Sequence, residues 1–398
     1  MILNFSKQNF MLIPRILVFI PVFFLAGCGW NPFSFLASNK DDLREPAELV
    51  KFDEEVRLRK VWSKNVGKGQ GKRFHKLKPA IEGGLIYAAS TNGIVMALDR
   101  ESGRESWRVN LKKDISGGVG IGDNMVLLGT INSTVLALNA DNGETLWESE
   151  VTSEVLSRPV TDDGIVVVQS IDGKITGLDA SNGEQVWIYE NTVPALTLRG
   201  TSSPLISGNF VIVAFANGSV ASLALEDGTL RWEERVAIPT GRSEIDRIVD
   251  IDGDLYVNEN GLLVVPSYQG YMSVINLLTG QTVWRTQESS SVGASSGFGN
   301  LYICDEDDLV KAYKTGEDDI IWSNESLFLR KLTAPATFGN YVAVADFEGY
   351  VHLLAQVDGR VVGRTRADSK GVRASLIARN NFLYVYGNSG NLIAYTVR

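Results

Sequence analysis

Short apolar runs alternate with polar turn residues along most of the chain, and they recur as similar pairs. The run Gly84–Ala89 leads through Asn92 and Gly93 into the run Ile94–Leu98. An Asn-Gly pair between two runs rich in β-forming residues is a strong sign of a β-hairpin. Further pairs of this kind occupy Ile165–Leu178, Val211–Leu223 and Tyr341–Leu353. The pattern therefore predicts a series of hairpins built to one plan.

A stretch that ends in tryptophan follows the hairpins. Ala97–Trp107 returns as Ala137–Trp147 and again as Gly177–Trp187. Each copy is typical of a strand end, a tight turn and a second strand. Glycine stands where the turn needs a positive φ, and Asp or Asn tolerates the neighbouring positions. The tryptophan brings a large apolar surface and one N–H that needs a partner.

Seven of the eight tryptophans fall at this one position of a repeat of about 40 residues, which is typical of a β-propeller. They are Trp62, Trp107, Trp147, Trp187, Trp232, Trp284 and Trp322. An eighth copy has Gly363 at the same position. The sequence therefore predicts an all-β, eight-bladed β-propeller of four-stranded antiparallel blades, with seven blades and a divergent segment as the alternative.

The two ends of the chain complement each other. The C-terminal runs Phe382–Tyr386 and Asn391–Thr396 form a hairpin without a closing strand, whereas Val61–Lys64 is a closing strand without a hairpin. Pairing them would remove two open sheet edges. We therefore expect the N- and C-terminal strands to close the ring within one blade.

The N-terminal segment has the features of an export signal. Lys7 and Arg15 precede an apolar run, Ile16–Phe24, that is too short for an ordinary membrane span. The following Leu25–Cys28 resembles the lipobox of bacterial lipoproteins, in which the cysteine becomes the acylated N-terminus; a plain signal peptide is the alternative. We expect a signal peptide at 1–27, a lipid anchor on Cys28 with a tether at 28–56, and the propeller at 57–398. Because no Asp follows the cysteine, the pattern favours the outer membrane.

Charge and cysteine content narrow the function. The formal net charge is −9, and loss of Lys7 and Arg15 with the signal peptide makes it −11, which weighs against nucleic-acid binding. With Cys28 lipidated, Cys304 has no partner within the chain and is expected to be a buried residue of a strand.

Two inserted loops break the repeat. Trp187 and Trp232 are 45 residues apart, Trp232 and Trp284 are 52 apart, and the extra residues lie at 191–200 and 238–254. Both insertions follow a closing strand, so we expect them to be neighbours on one face of the ring.

The chemistry of these loops suggests a partner-binding site. Leu196, Leu198 and Arg199 combine apolar side chains with arginine, as interfaces do, and Asp250 and Asp252 supply nearby carboxylates. In the alternative, the two leucines turn inward and Arg199 pairs with an aspartate to brace the loops. Both interpretations are compatible with the sequence.

A metal site is not expected at the aspartates. Asp250, Asp252 and Asp254 resemble the start of a calcium loop, but the twelfth position is Gly261 instead of glutamate. The sequence predicts neither a metal nor a cofactor.

The blade repeat also resembles that of quinoprotein dehydrogenases, which bind pyrroloquinoline quinone at the centre of an eight-bladed ring. A periplasmic dehydrogenase of that kind is the alternative function. This chain has no adjacent cysteine pair, and its two histidines, His75 and His352, stand at unrelated positions of the repeat. We therefore predict that the protein is not an enzyme.

Cys28, the Trp-ended blades and the segments 196–200 and 244–252 together resemble the BamB family, the propeller lipoproteins of the β-barrel assembly machinery in Gram-negative outer membranes. This resemblance implies a scaffold on the periplasmic face that binds BamA, through its POTRA domains, with Leu196, Leu198, Arg199, Asp250 and Asp252. It implies indirect contact with the other Bam subunits and help for unfolded outer-membrane protein precursors. The sequence departs from the family after Asp252.

Overall fold

A computed structural model describes residues 44–71, 77–198, 202–240, 242–243, 245–258 and 260–398. Five residues named above, Lys7, Arg15, Cys28, His75 and Arg199, lie outside these ranges. The compact unit that contains the ring extends from Glu45 to Arg398. The division between tether and propeller at residue 56 stays a prediction.

Within the described ranges, thirty-two strands form eight four-stranded antiparallel sheets, which are the blades. Blade 1 contains β2 (Ala80–Glu82), β3 (Leu85–Ala89), β4 (Ile94–Asp99) and β5 (Glu105–Asn110). Blade 2 contains β6 (Ile115–Gly122), β7 (Met125–Thr130), β8 (Thr134–Asn139) and β9 (Thr145–Glu150). Blade 3 contains β10 (Val160–Asp162), β11 (Ile165–Gln169), β12 (Lys174–Asp179) and β13 (Gln185–Glu190). Blade 4 contains β14 (Leu205–Ser207), β15 (Phe210–Ala214), β16 (Ser219–Ala224) and β17 (Leu230–Arg235).

The second half of the ring repeats this order. Blade 5 contains β18 (Tyr256–Val257), β19 (Leu262–Val265), β20 (Met272–Asn276) and β21 (Thr282–Thr286). Blade 6 contains β22 (Ser295–Gly297), β23 (Asn300–Cys304), β24 (Val310–Lys314) and β25 (Ile320–Asn324). Blade 7 contains β26 (Ala336–Phe338), β27 (Tyr341–Ala345), β28 (Tyr350–Ala355) and β29 (Val361–Arg366). Blade 8 contains β30 (Ile377–Arg379), β31 (Phe382–Tyr386), β32 (Asn391–Val397) and β1 (Leu58–Asn65).

Blade 8 closes the ring with both chain ends, as predicted. Strand β1 pairs antiparallel with β32 along its length, from Leu58 opposite Val397 to Asn65 opposite Asn391. The expected eight blades of four strands are thereby confirmed, and the seven-bladed alternative is wrong.

The ring has two faces of different construction. One, here called the turn face, carries the turns between the first and second strands of each blade and between the third and fourth strands of blades 1 to 7. The other, the loop face, carries the turns between the second and third strands and the connections to the next blade. Backbone hydrogen bonds join the segments within each face: Leu111 donates to Gly93 on the loop face and Ala140 donates to Asn124 on the turn face.

The repeated tryptophans join neighbouring blades. Trp107 of blade 1 donates its indole N–H to the carbonyl oxygen of Ala140 in blade 2, at 2.8 Å. Gly143 lies beneath that ring with φ +76°, and a Cβ there would be 2.6 Å from an indole carbon. Glycine is therefore required both by the turn and by the packing of the next blade. The same donation to the next blade is made by Trp62, Trp147, Trp187, Trp232 and Trp322.

Trp284 is the exception among the seven. Its indole nitrogen is buried and has no hydrogen-bond partner among the described residues. The ring instead meets Tyr313 of blade 6 edge-on, with centroids 6.2 Å apart. The apolar contact between blades 5 and 6 is thus kept without the usual hydrogen bond.

Residues 45–56, here called the arm, occupy the position left by the missing tryptophan of blade 7. The backbone N–H groups of Glu55 and Val56 donate to the carbonyl oxygen of Val362, at 2.9 and 3.2 Å. Val56 is 5% exposed, and a Cβ at Gly363 would lie 2.6 Å from its carbonyl oxygen. Glycine at 363 therefore makes room for the arm.

Candidate partner-binding site

The two inserted loops are connections between blades on the loop face. The first, at 191–204, joins β13 to β14, and the second, at 236–255, joins β17 to β18. They begin and end in adjacent blades, as the repeat phase predicts.

Hydrogen bonds hold the two loops together. The backbone N–H of Leu198 donates to Oδ2 of Asp250 at 3.0 Å. The hydroxyl of Ser202 donates to the carbonyl oxygen of Gly253 at 2.8 Å. Because Asp250 is only 1% exposed, this carboxylate lies beneath the loop surface and fixes the backbone above it.

The second loop is also braced internally. Asp246 accepts a hydrogen bond from the backbone N–H of Ser243, whose hydroxyl accepts one from the backbone N–H of Asp246, both at 3.1 Å. Hydrogen bonds from the Ser243 side chain and backbone hold the pKa of Asp246 below its usual value. This reciprocal pair closes a tight turn in a long connection.

The leucines of the first loop point outward. Leu196 is 46% exposed and Leu198 is 39% exposed, so the inward alternative does not describe them. The pairing proposed for Arg199 lies outside the described residues. Asp252 is half-buried. The assignment of these five residues to an interface stays a prediction.

Further exposed apolar residues on the same loops were missed from the sequence. Ile238 is 58% exposed, Ile245 is 70% exposed and Val193 is 37% exposed. The sequence could have indicated them, because each is an apolar residue inside an inserted loop. Isolated exposed apolar residues are common, but several on two joined loops make a candidate contact surface.

An ion pair bridges the ring axis beside these loops. Nζ of Lys78, which precedes blade 1, lies 2.8 Å from Oδ2 of Asp254, which precedes blade 5 on the opposite side of the ring. The cavity around this pair has a volume of about 70 Å³. Typical small-molecule sites measure roughly 300–1,000 Å³. The axial space is therefore small for a cofactor such as a tricyclic quinone.

The described residues also lack a group of three or more His, Cys, Asp and Glu side chains placed to hold a metal ion. No helix within them is long and apolar enough to cross a bilayer. Cys304 is 1% exposed at the end of β23, as predicted.

His352 belongs to a buried charge network in blade 7. Its Nε2 lies 2.9 Å from Oδ2 of Asp346, and its Nδ1 accepts a hydrogen bond from Nε of Arg364 at 3.1 Å. Arg330 donates to the same Asp346 oxygen at 2.8 Å. Burial lowers the pKa of His352, so the neutral ring with its proton on Nε2 fits both contacts. The histidine serves the structure of the blade.

Comparison with known proteins identifies the family. A family model described as outer membrane protein assembly factor BamB matches residues 91–324. The chain is similar to BamB of Pseudomonas aeruginosa, with 56% identity over 91% of this chain and 95% of that protein. It is similar to BamB of Legionella pneumophila, with 42% identity over 95% and 98% of the two chains.

Solved structures agree with the fold. The crystal structure of BamB from Moraxella catarrhalis matches with a TM-score of 0.78 and 30% identity, over 85% of this chain and 99% of that one. Quinohemoprotein alcohol dehydrogenase from Comamonas testosteroni matches with a TM-score of 0.67 at 14% identity, over 85% and 76%, which shows a shared fold alone. By sequence and by structure, this chain belongs to the family of the outer membrane protein assembly factor BamB.

Proposed function

We propose that this protein is a non-catalytic scaffold of the outer-membrane β-barrel assembly machinery and that it binds the POTRA domains of BamA through its two joined loops. The observation that carries the proposal is the pair of exposed leucines, Leu196 and Leu198, on a backbone fixed by the buried carboxylate of Asp250. A loop held in its binding conformation loses less entropy when a partner docks.

The exposed and the buried residues of this site have different roles. Leu196, Leu198 and Arg199 are the contact residues, since exposed leucines and arginine supply apolar area and hydrogen-bond donors to an interface. Asp250 acts by positioning, because it is buried. Asp252 is half-buried and lines the cavity at the ring axis.

The lipid on Cys28 would hold the ring at the periplasmic face of the outer membrane. Other Bam subunits would be reached through BamA, and unfolded outer-membrane protein precursors would be assisted by the assembled machine. The small cavity at the ring axis favours this scaffold role over a quinone-dependent dehydrogenase.

Charge placed on the leucines tests the proposal. Leu196→Glu and Leu198→Glu should each abolish co-purification with BamA from cells, while the thermal midpoint stays near that of the unaltered protein. Leu278→Glu is the matched control, because Leu278 is 73% exposed and lies in the turn 277–281 on the opposite face. Loss of binding in all three variants, or in none, would refute this site.

A further inference from the structure

The cavity at the ring axis, here called the axial cavity, lies where connections on the loop face lead into the first strands of the blades. Its volume is about 70 Å³. The charged residues that line it are Lys78 before β2, Arg158 before β10, Asp252 and Asp254 before β18, and Arg373 before β30. Blades 1, 3, 5 and 8 therefore bring charged groups to one small space.

The described residues of the axial cavity carry a net positive charge. They include three cations and two carboxylates, which leaves one positive charge in excess. Lys78 and Asp254 offset each other, because their Nζ and Oδ2 atoms are 2.8 Å apart. The other charges are those of Arg158, Arg373 and Asp252. A positive cavity in a chain whose formal net charge is −9 favours an anionic ligand over a cationic one.

Arg158 brings a buried hydrogen-bond donor to the axial cavity. Its backbone N–H donates to Oγ of Ser203 at 3.2 Å, which fixes the base of the side chain. The side-chain Nε is buried and has no hydrogen-bond partner among the described residues. A buried donor on a charged group has lost its contact with bulk water, and it ordinarily meets an ordered water or an ion. An acceptor from outside the chain would complete the contacts of Arg158.

Arg373 adds a second guanidinium to the axial cavity. Its Nε donates to Oδ1 of Asn388 at 3.2 Å, and its Nη2 donates to the carbonyl oxygen of Gly71 at 3.1 Å. Both of these acceptors are neutral. Burial lowers the pKa of Arg373, because the charged form has lost water. A negative charge in the same cavity would offset this cost.

Hydroxyl groups and the size of the axial cavity narrow the choice of ligand. Ser203, Ser291 and Ser375 line the cavity, and a serine hydroxyl can donate a hydrogen bond to an oxyanion. A buried water needs about 10–15 Å³, so the cavity has room for roughly five to seven groups of that size. Inorganic phosphate, a phosphorus atom with its oxygens, is of this size.

We infer that the axial cavity binds a small tetrahedral oxyanion, such as free phosphate, with the guanidinium of Arg158 as its charged hydrogen-bond donor. A guanidinium presents its N–H groups as a planar fork that fits two oxygens of a phosphate group. Lipid headgroups carry the same phosphate chemistry, but the cavity leaves no room for the esterified glycerol. The inference is independent of the BamA contact, since it rests on the lining of the axis alone.

Titration calorimetry with inorganic phosphate tests the site. The full chain is purified in detergent, in a phosphate-free buffer whose ionic strength is held constant with sodium chloride. We expect one phosphate bound per chain. A chain that releases or takes up no heat, and whose thermal midpoint does not rise with phosphate, would overturn the inference, because a ligand that binds only the folded ring must stabilise it.

Two variants should change phosphate affinity in opposite directions. Arg158→Gln should weaken binding by about tenfold or more, because it removes a charged donor. Asp252→Asn should strengthen binding by about threefold or more, because it removes a negative charge from the lining. Arg366→Gln is the control, because it removes the same charge as Arg158→Gln from the exposed outer strand β29. We expect its affinity to stay within about twofold of the unaltered protein.

The pattern across the variants decides the outcome. Equal weakening in Arg158→Gln and Arg366→Gln would show that phosphate responds to net charge and not to the axial cavity. If Arg158→Gln does not fold, Asp252→Asn decides, and unchanged or weaker binding in that variant refutes the site. Glycerol 3-phosphate should bind less tightly than inorganic phosphate, and tighter binding of the ester would contradict the choice of the free ion.

Discussion

The backbone N–H of Leu198 and the buried carboxylate of Asp250 form a 3.0 Å hydrogen bond that joins two loops from different blades. Leu198 is exposed, whereas Asp250 is only 1% exposed. A substitution of Asp250 can therefore affect a bound partner only by changing the conformation of the first loop. Substitutions of Leu198 therefore test partner contact, and substitutions of Asp250 test the positioning of the loop.

Asp250→Ala should therefore weaken BamA binding and also loosen the first loop. The backbone N–H groups of Leu198 and Ile251 would lose the carboxylate that accepts their hydrogen bonds. Leaving a buried donor without an acceptor lowers the free energy of unfolding by about 1–3 kcal/mol. Limited proteolysis within 191–204 and co-purification with BamA measure the two effects. Weaker binding with an unchanged cleavage rate would contradict a positioning role.

Gly143→Ala should destabilise the ring more than Gly164→Ala does. Both glycines have almost the same φ, +76° and +77°, so the backbone strain of alanine in the left-handed region, roughly 1–2 kcal/mol, applies equally to both variants. Only Gly143 lies under a tryptophan, where a Cβ would be 2.6 Å from an indole carbon of Trp107, whereas a Cβ at Gly164 meets nothing within 4 Å. Urea unfolding of the two variants measures the difference, and equal midpoints would refute the packing argument.

Gly363→Trp should lower stability although it restores the repeat. The position is already filled by the arm, whose Val56 carbonyl oxygen would lie 2.6 Å from the new Cβ. We expect a lower thermal midpoint and faster protease cleavage within 45–56. A higher midpoint with an uncleaved arm would show that the arm does not occupy the tryptophan site.

His352 should make the protein less stable as the pH falls below about 6.5. Burial lowers its pKa in the folded state below the value of 6.5, so the unfolded chain binds the proton first and unfolding is favoured. Asp308 has the opposite effect, because burial raises its pKa from 3.8 to about 6 and the folded state gains the proton first.

The comparison of the unaltered protein with His352→Gln isolates the histidine, since both proteins keep Asp308. Urea unfolding between pH 7.5 and about 5 should show a shallower loss of stability in the variant. Parallel curves would mean that the buried network of Asp346 and His352 does not titrate in this range.

Much of the fold could be predicted because its signals are local. Asn-Gly turns and strands that contain the repeated tryptophan identify each blade from a few neighbouring residues. The pairing of β1 with β32 could be predicted because the C-terminal hairpin lacks a closing strand and the N-terminal strand lacks a hairpin. The contact between the two inserted loops followed from their common phase in the repeat. The exposure of Leu196 and Leu198 shows that these two leucines do not turn inward, whereas the expected pairing of Arg199 lies outside the described residues.

Features that depend on distant parts of the chain were not predictable. Lys78 and Asp254 meet across the axis although 176 residues separate them. The absence of tryptophan at 363 gave no indication that Val56 of the arm fills the space. The burial of Asp250 was equally hidden, because an aspartate in a polar loop is ordinarily exposed.

The pairing of Leu58–Asn65 with Asn391–Val397 also sets an order of events during biogenesis. The first strand is synthesised early but has no strand to pair with until the last residues of the chain have been made. Blades 1 to 7 can assemble in that interval, whereas blade 8 is completed only when the C-terminal strands are available. A chain that stops short of β32 would be an open arc in which the first strand has no antiparallel partner.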